Sequence, residues 1–276
     1  MRPIQTYAEF NGRFPARTRL RNRLRDAVVC ALSAGRDIGR TSNWIRFPYY
    51  HHVFDDECRG FERQLDFLGG FGDFISLDDA ISLLEGGRKF DGRYFCMTFD
   101  DGFKNNLTNA LPILLEKKAP AAFFLTTGYI GSDSQRDRDK LLAFFDDRRT
   151  LMEFLNWDDC RALADAGMVI GSHTVSHARL AALDTSTVTG ELEASKATIE
   201  RELNRPCDHF CSPFGIPHQD YNVARDPGLV QAAGYKSMLT TERGPTRWGA
   251  SAFGIRRDHT LANWSHYQLR YFLSLG

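Results

Sequence analysis

The sequence lacks an excess of charge of either sign, because 35 lysines and arginines balance 35 aspartates and glutamates among 276 residues. A nucleic-acid-binding protein usually carries a clear basic excess, so we expect no nucleic-acid partner. The chain also lacks any apolar run of about 18 residues, which a membrane-spanning helix requires. Its six cysteines form no C-x-x-C pair, and disulfide frameworks are typical of short secreted chains. We therefore expect a reducing, cytoplasmic location.

The first 44 residues predict a basic, helical extension ahead of a main domain at 45–276. Six arginines fall between positions 13 and 25, and the apolar piece AVVCALSAG follows them. This order also fits a secretory signal peptide, which leaves export open, but the apolar piece is short and Asp26 directly precedes it. We favour an amphipathic helix whose basic face contacts an anionic membrane surface or faces water.

Apolar strand-like runs alternate with helix-like segments through most of the chain. RYFCMTF at 93–99 predicts one continuous buried strand, and MVIGS at 168–172 predicts another. Ser76 and Asn156 are predicted to cap the helices that follow them, and Gly167 is predicted to end the second. The alternation favours an α/β fold with a parallel sheet or barrel, whose active site would lie at the carboxyl ends of the strands. The charged segment 130–156 interrupts this pattern and is predicted to run over the surface.

Two adjacent aspartates, Asp100 and Asp101, follow the strand RYFCMTF directly, and Gly102 comes next. If this segment has no functional role, the two aspartates form a solvated turn or a helix cap. Buried side by side, however, two carboxylates repel each other, and a divalent cation would relieve that repulsion.

Two histidines follow the strand MVIGS at a spacing of four residues. In a helical turn, His173 and His177 would lie on one side of the helix, as two imidazole ligands of a metal do. They could equally be surface histidines at a helix start. Together with a strand-end aspartate they match a two-histidine, one-carboxylate site for Zn²⁺ or a related divalent metal with an open position.

A further pair, His51 and His52, lies in the aromatic stretch FPYYHHVFDD. One of them is a candidate general acid, and the alternative is a buried, hydrogen-bonded histidine.

Three motifs in this chain resemble those of the polysaccharide deacetylases, the NodB-homology or carbohydrate esterase family 4 group. The motifs are MTFDDGF at 97–103, GSHTVSH at 171–177 and SPFG at 212–215, and the resemblance covers roughly residues 45–260. YYHHV near the start, with AAGYKSMLTT and FGIRRD near the end, is similar to the branch that contains the poly-N-acetylglucosamine deacetylases of biofilm systems.

This resemblance implies a distorted (β/α)7 TIM-like barrel and a role for each motif residue. Asp100 matches the catalytic base, Arg257 a late arginine that holds it, and His51 the acid of the early Tyr-His motif, although His52 stays an alternative. The metal ligands would be Asp101, His173 and His177. Pro213, Phe214 and Gly215 match a loop whose backbone N–H, assigned to Phe214, holds the oxyanion, and Tyr50, Pro213 and Gly215 are the predicted substrate contacts.

The chain departs from the family pattern at two places. Cys211 and Ser212 stand where many members carry an arginine before the proline motif, and a late histidine motif is lacking.

The resemblance therefore predicts a hydrolase that uses Zn²⁺, or Co²⁺, Ni²⁺ or Mn²⁺, to remove N-acetyl groups from an amino sugar in a glycan or a glycoconjugate precursor. The substrate could be polymeric, lipid-linked or nucleotide-linked. Two alternatives stay open: an amidase of the same fold that cleaves a non-sugar C–N bond, and a degenerate deacetylase that only binds glycan.

Overall fold

Short parallel strands and helices alternate through the computed structural model, which describes residues 2–13, 16–145 and 147–275. The strands are β1 Trp44–Arg46, β2 Pro48–Tyr50, β3 Asp73–Phe74, β4 Arg93–Phe95, β5 Met97–Phe99, β6 Ala121–Leu125, β7 Val169–Ser172, β8 His209–Cys211, β9 Ser237–Leu239, β10 Phe253–Ile255 and β11 Asp258–His259. The helices are α1 Tyr7–Gly12, α2 Ala16–Ser33, α3 Cys58–Gly69, α4 Leu77–Glu85, α5 Leu111–Glu116, α6 Arg138–Ala143, α7 Trp157–Asp165, α8 Thr185–Leu203, α9 Asp226–Ala232 and α10 His266–Leu273.

Eight of these strands form one sheet in the order β10-β9-β8-β7-β6-β5-β2-β11, and every neighbouring pair is parallel. The two edge strands are consecutive in the chain, and only Arg256 and Arg257 separate them. Three peptide steps span at most about 11 Å, so the edges of the sheet must curl towards each other. The predicted distorted α/β barrel is thus confirmed.

A second, three-stranded sheet in the order β1-β4-β3 continues two strands of the large sheet. β4 pairs with β1 and β3, whereas β5, which starts after Cys96, pairs with β2 and β6. The prediction of one continuous strand at 93–99 was therefore wrong. The apolar run is unbroken in sequence, but its pairing partner changes from β3 to β6 along its length, and local composition does not encode a change of partner.

The predicted helix ends are confirmed where a side chain caps them. The Ser76 hydroxyl accepts the Asp79 N–H at 3.1 Å, and the Asn156 side chain accepts the Asp159 N–H at 2.9 Å. Gly167 follows α7 with φ +82°, a left-handed conformation that ends the helix with little strain.

Strand side chains alternate between two apolar clusters, as the pleat of a strand requires. On β6, Phe123 and Leu125 pack outward against the surrounding helices, whereas Ala122 and Phe124 belong to a cluster that includes Leu77 of α4.

The N-terminal residues and the charged segment both pack onto the barrel. Backbone N–H groups of Tyr7 and Ala8 donate to the Asp56 carboxylate at 2.7 and 3.1 Å. The segment 130–156 was predicted to run over the surface, yet its apolar residues Leu151 and Phe154 are buried in a cluster that α1 also joins. No helix in the described ranges combines the length and the apolar character that crossing a bilayer demands.

Candidate metal centre and active site

Carboxylates and imidazoles from two nearby strands meet at the carboxyl edge of the large sheet. Asp101 follows β5 by two residues and His173 follows β7 directly, and both side chains are buried. Asp101 Oδ1 lies 3.5 Å from His173 Nε2 and 3.3 Å from His177 Nε2. A ligand atom from each of the three residues lies within 4.8 Å of the others.

Left-handed backbone conformations bring the three metal donors together. His173 and His177 were predicted to share a helical turn, but the segment after β7 is an irregular loop in which Thr174 and His177 have φ angles of +66° and +60°. Asp101 is also left-handed, with φ +73°. Non-glycine residues in this region cost about 1–3 kcal/mol each and are concentrated at functional sites. The histidines therefore approach each other by a loop reversal, not by helical periodicity.

A hydrogen bond to the Cys211 carbonyl determines which ring nitrogen of His173 carries the proton. Its Nδ1 lies 2.7 Å from the Cys211 carbonyl oxygen, which can only accept, so Nδ1 carries the proton. The lone pair of Nε2 then points toward Asp101. Burial lowers the pKa of His173 to about 4, which keeps the ring neutral at physiological pH.

A divalent cation fits this set of donors. Asp101 Oδ1 is buried without a hydrogen-bond partner among the described residues, although it faces two imidazole nitrogens. A tetrahedral zinc ion with bonds of about 2.0–2.1 Å separates its ligands by about 3.3 Å, close to the two distances observed. Burial alone would raise the pKa of Asp101, but the neighbouring His177, His51 and His173 outweigh it and hold this pKa well below its ordinary value.

A second possible donor group, formed by Asp100, His173 and Cys211, is less suited to a metal. Both Asp100 oxygens accept from the Arg257 guanidinium, at 2.7 Å each. Burial raises the pKa of the Cys211 thiol far above its usual range, so the thiol stays protonated. We therefore assign the candidate metal centre to Asp101, His173 and His177.

Asp100 is held as an ionised carboxylate by a two-pronged contact. Arg257 is fully buried, and it also donates from Nε to the Thr240 carbonyl at 2.9 Å. Its guanidinium lies 4.3 Å from the centre of the Tyr49 ring. Burial would raise the pKa of Asp100, but the charge and the hydrogen bonds of Arg257 prevail and lower this pKa below its ordinary value. The carboxylate is thus charged, oriented and beside the metal centre.

The two adjacent histidines occupy different environments. The His52 ring lies between Phe54 and Phe103, with centroid distances of 4.8 and 4.2 Å, and its Nδ1 has no hydrogen-bond partner in the described structure. Burial lowers the pKa of His52 to about 3, which opposes a role as proton donor. His51 is partly exposed and contacts the rings of Tyr49 and His259 at 5.6 and 5.9 Å.

The predicted substrate contacts are not all brought to the cavity. Tyr50 lies in the core, where its hydroxyl donates to Gln64 at 2.9 Å. Neighbours on a strand face opposite sides, and on β2 it is Tyr49 that faces the site. Pro213 and Gly215 are buried within the turn after β8, whereas Phe214, at φ +60°, reaches the cavity.

A cavity of about 550 Å³ joins these groups. His51, Asp100 and the three metal donors line it, and many of its other lining residues are aromatic: Tyr7, Phe10, Phe54, Phe144, Phe145 and Phe214. Sequence reasoning missed Tyr7, Phe10 and His259 as cavity residues. His259 could have been found, because it follows an aspartate at the end of β11 and so resembles the polar pairs at the other strand ends. Tyr7 and Phe10 carry no local sequence signal, because only tertiary packing brings α1 to the site.

Comparison with known proteins identifies the family of this chain. A family model described as polysaccharide deacetylase matches residues 87–232, just over half of the chain. YxkH of Bacillus subtilis (strain 168), whose name provisionally describes it as a polysaccharide deacetylase, is 21% identical over 231 residues, covering 79% of this chain and 74% of that protein.

Two solved structures share the fold. IcaB from Ammonifex degensii superposes with a TM-score of 0.68 at 20% identity, covering 84% of this chain and 98% of that one. The Streptococcus pyogenes deacetylase PplD, solved in complex with acetate, has a TM-score of 0.67 at 22% identity, with coverages of 84% and 99%.

Proposed function

Because the chain belongs to the polysaccharide deacetylase family, and so is a carbohydrate esterase acting on N-acetyl groups, we propose that it is a metal-dependent N-deacetylase. Its substrate would be an acetylated amino sugar in a glycan or glycoconjugate precursor. One observation carries the metal dependence: the buried Asp101 oxygen has no hydrogen-bond partner in the described structure and faces the Nε2 atoms of His173 and His177.

Asp101, His173 and His177 would hold the metal, which is Zn²⁺ or another divalent ion such as Co²⁺, Ni²⁺ or Mn²⁺. Such an ion supplies a Lewis acid that polarises the amide carbonyl and lowers the pKa of water. The Cys211 carbonyl supports this role, because it keeps the His173 Nε2 free of a proton.

Asp100 would accept the proton of the attacking water. A general base must be ionised and fixed in position, and the paired contacts from Arg257 satisfy both requirements. The guanidinium also prevents Asp100 from turning towards the metal centre. Asp100 would therefore act only as the base, and Asp101 only as a metal ligand.

His51 would protonate the leaving nitrogen, since an amine leaves poorly without a proton. Both histidines line the cavity and are partly exposed, but His52 is packed between two aromatic rings and burial lowers its pKa so that it stays neutral. The Phe214 N–H would donate to the oxyanion that develops on the substrate, a contact typically worth about 3–4 kcal/mol. The exposed position of Phe214 at the cavity supports this role.

Acetate release from N-acetylglucosamine oligomers, with and without a chelator, tests the reaction. We expect Asp101→Ala and His173→Ala to lose bound metal and activity together, and Asp100→Asn to keep metal but lose turnover. His266→Ala, which changes an exposed histidine outside the cavity, is the matched control.

Three results would contradict parts of the proposal. Full metal content in both Asp101→Ala and His173→Ala would remove the metal assignment, and near wild-type turnover in Asp100→Asn would remove the base. Release of acetate only from small non-sugar amides would identify the amidase alternative, and glycan binding without turnover the binding-protein alternative.

We also propose a reducing, cytoplasmic location, which the free thiols of all six cysteines support. Cell fractionation with an antibody to the protein tests it, and recovery from the medium would contradict it.

A further inference from the structure

Helix α2 exposes a continuous apolar ridge to solvent. Leu20, Leu24, Val28 and Leu32 follow one another at intervals of four residues, and their exposed fractions are 59%, 62%, 57% and 50%. Residues four apart lie on the same side of a helix, and the ridge rises about 18 Å along the helix axis. Single exposed leucines are normal on protein surfaces, but an aligned row over three helical turns marks an interaction surface.

Arginines accompany the first three residues of this ridge. Arg17, Arg21 and Arg25 each precede a ridge residue by three positions, so they lie beside it on the helix. All three are exposed, and in the described part of the chain none of them forms an ion pair. The one acidic residue of α2 is Asp26, which lies on a different side and accepts the Gln268 amide at 3.3 Å.

The opposite side of α2 already has its partner. Val29 and Ser33 are buried, and the helix packs along α10 of the barrel. The ridge is therefore not part of the hydrophobic core of this domain. It is a solvent-exposed surface on a helix whose other side packs against the barrel.

We propose that α2 lies in the surface of an anionic lipid membrane, with the apolar ridge at the acyl boundary and Arg17, Arg21 and Arg25 on lipid phosphates. An apolar face bordered by basic side chains is the pattern of interfacial helices. A second copy of the chain fits the ridge less well as a partner. A two-fold contact through α2 would bring two rows of unpaired arginines together without acidic partners. This docking is independent of the chemistry at the metal centre.

Co-sedimentation of the full chain with vesicles tests the docking. Binding is expected to vesicles of phosphatidylcholine mixed with phosphatidylglycerol, to fall with added salt, and to be weak for phosphatidylcholine alone. Each basic side chain near an anionic surface contributes about fivefold in affinity, so Arg17→Gln/Arg21→Gln/Arg25→Gln is expected to weaken binding about 100-fold. The variant Leu24→Asp/Val28→Asp is expected to lose most of the vesicle binding of the wild type, because it breaks the centre of the apolar ridge.

Matched controls separate docking from general surface effects. Leu115→Asp changes a leucine that is 49% exposed on α5, and Arg201→Gln removes an exposed arginine from α8; both are expected to bind vesicles as the wild type does. Circular dichroism and acetate release from a soluble oligomer check that the α2 variants remain folded.

Two results would overturn the proposal. One is equal vesicle binding by wild type and the ridge variant. The other is a wild-type dimer in solution, without vesicle binding, that Leu24→Asp/Val28→Asp converts to a monomer, which would assign the ridge to self-association.

Discussion

The buried pair of Arg257 and Asp100 allows a quantitative prediction. Both side chains are almost completely buried, and two hydrogen bonds of 2.7 Å join them. Arg257→Gln leaves a carboxylate buried without its counter-charge. Hydrogen bonds to charged groups contribute about 1.5–3 kcal/mol each, and breaking one side of a buried ion pair typically costs about 3–5 kcal/mol. We expect a loss of about 3–5 kcal/mol in the free energy of unfolding at neutral pH.

A double-mutant cycle isolates the pair from other effects. Asp100→Asn should also destabilise the fold, because it leaves a buried guanidinium without its counter-charge. The double variant Asp100→Asn/Arg257→Gln buries neither charge, so it should lose less than the sum of the single changes, by at least about 2 kcal/mol. Urea unfolding in the presence of a chelator provides the measurement, since bound metal would otherwise add to the stability of each variant.

The neighbouring arginine is a natural control. Arg256 pairs with Glu242, and the two side chains are 49% and 44% exposed. Exposed pairs contribute about 0–1 kcal/mol, so Arg256→Gln should change stability little. The reasoning would be refuted if Arg257→Gln cost no more than Arg256→Gln, or if the two single changes in the cycle were additive.

Two further predictions concern side chains that line the cavity. His51→Phe should reduce acetate release by at least about 100-fold, because proton donation typically contributes that much, whereas His52→Phe should retain most of it because its ring is already packed as an aromatic. Comparable losses in both variants would contradict this assignment. Burial raises the pKa of Glu57 from 4.5 to about 7. Its contribution to stability is therefore fully present below about pH 4.5 and is lost as the pH rises through about 7, which amounts to about 3 kcal/mol. Glu57→Gln should remove this decline between pH 4.5 and 8 in urea unfolding, and an unchanged pH profile would contradict the burial effect.

Much of the architecture could be predicted because parallel strands place their carboxyl ends at one edge. That rule alone drew attention to Asp100, Asp101 and His173, which the structure brings together. The spacing of His173 and His177 pointed to the same place for a different reason, since a helical turn was expected and a left-handed loop was found. Proximity was predictable here, but backbone conformation was not.

Features that depend on distant parts of the chain were harder to predict. Arg257 was matched to Asp100 by family resemblance, because no local pattern connects residues 157 positions apart. Tyr50 was predicted as a substrate contact from the early Tyr-His motif, and a short motif does not reveal which face of a strand is buried. The aromatic wall from Tyr7 and Phe10 depends on how the first helix packs, and this is decided by tertiary contacts with Phe54.

The closure of the sheet by two residues has a consequence for synthesis of the protein. Six strands of the large sheet, together with Asp101 and both metal-site histidines, precede residue 253, whereas Arg257 and the strands on either side of it follow. A nascent chain can therefore gather its metal donors well before it can fix Asp100 in place. Hydrolytic competence would be acquired only after the segment that carries Arg257 has left the ribosome, so that products truncated before it retain the metal donors but lack an oriented base.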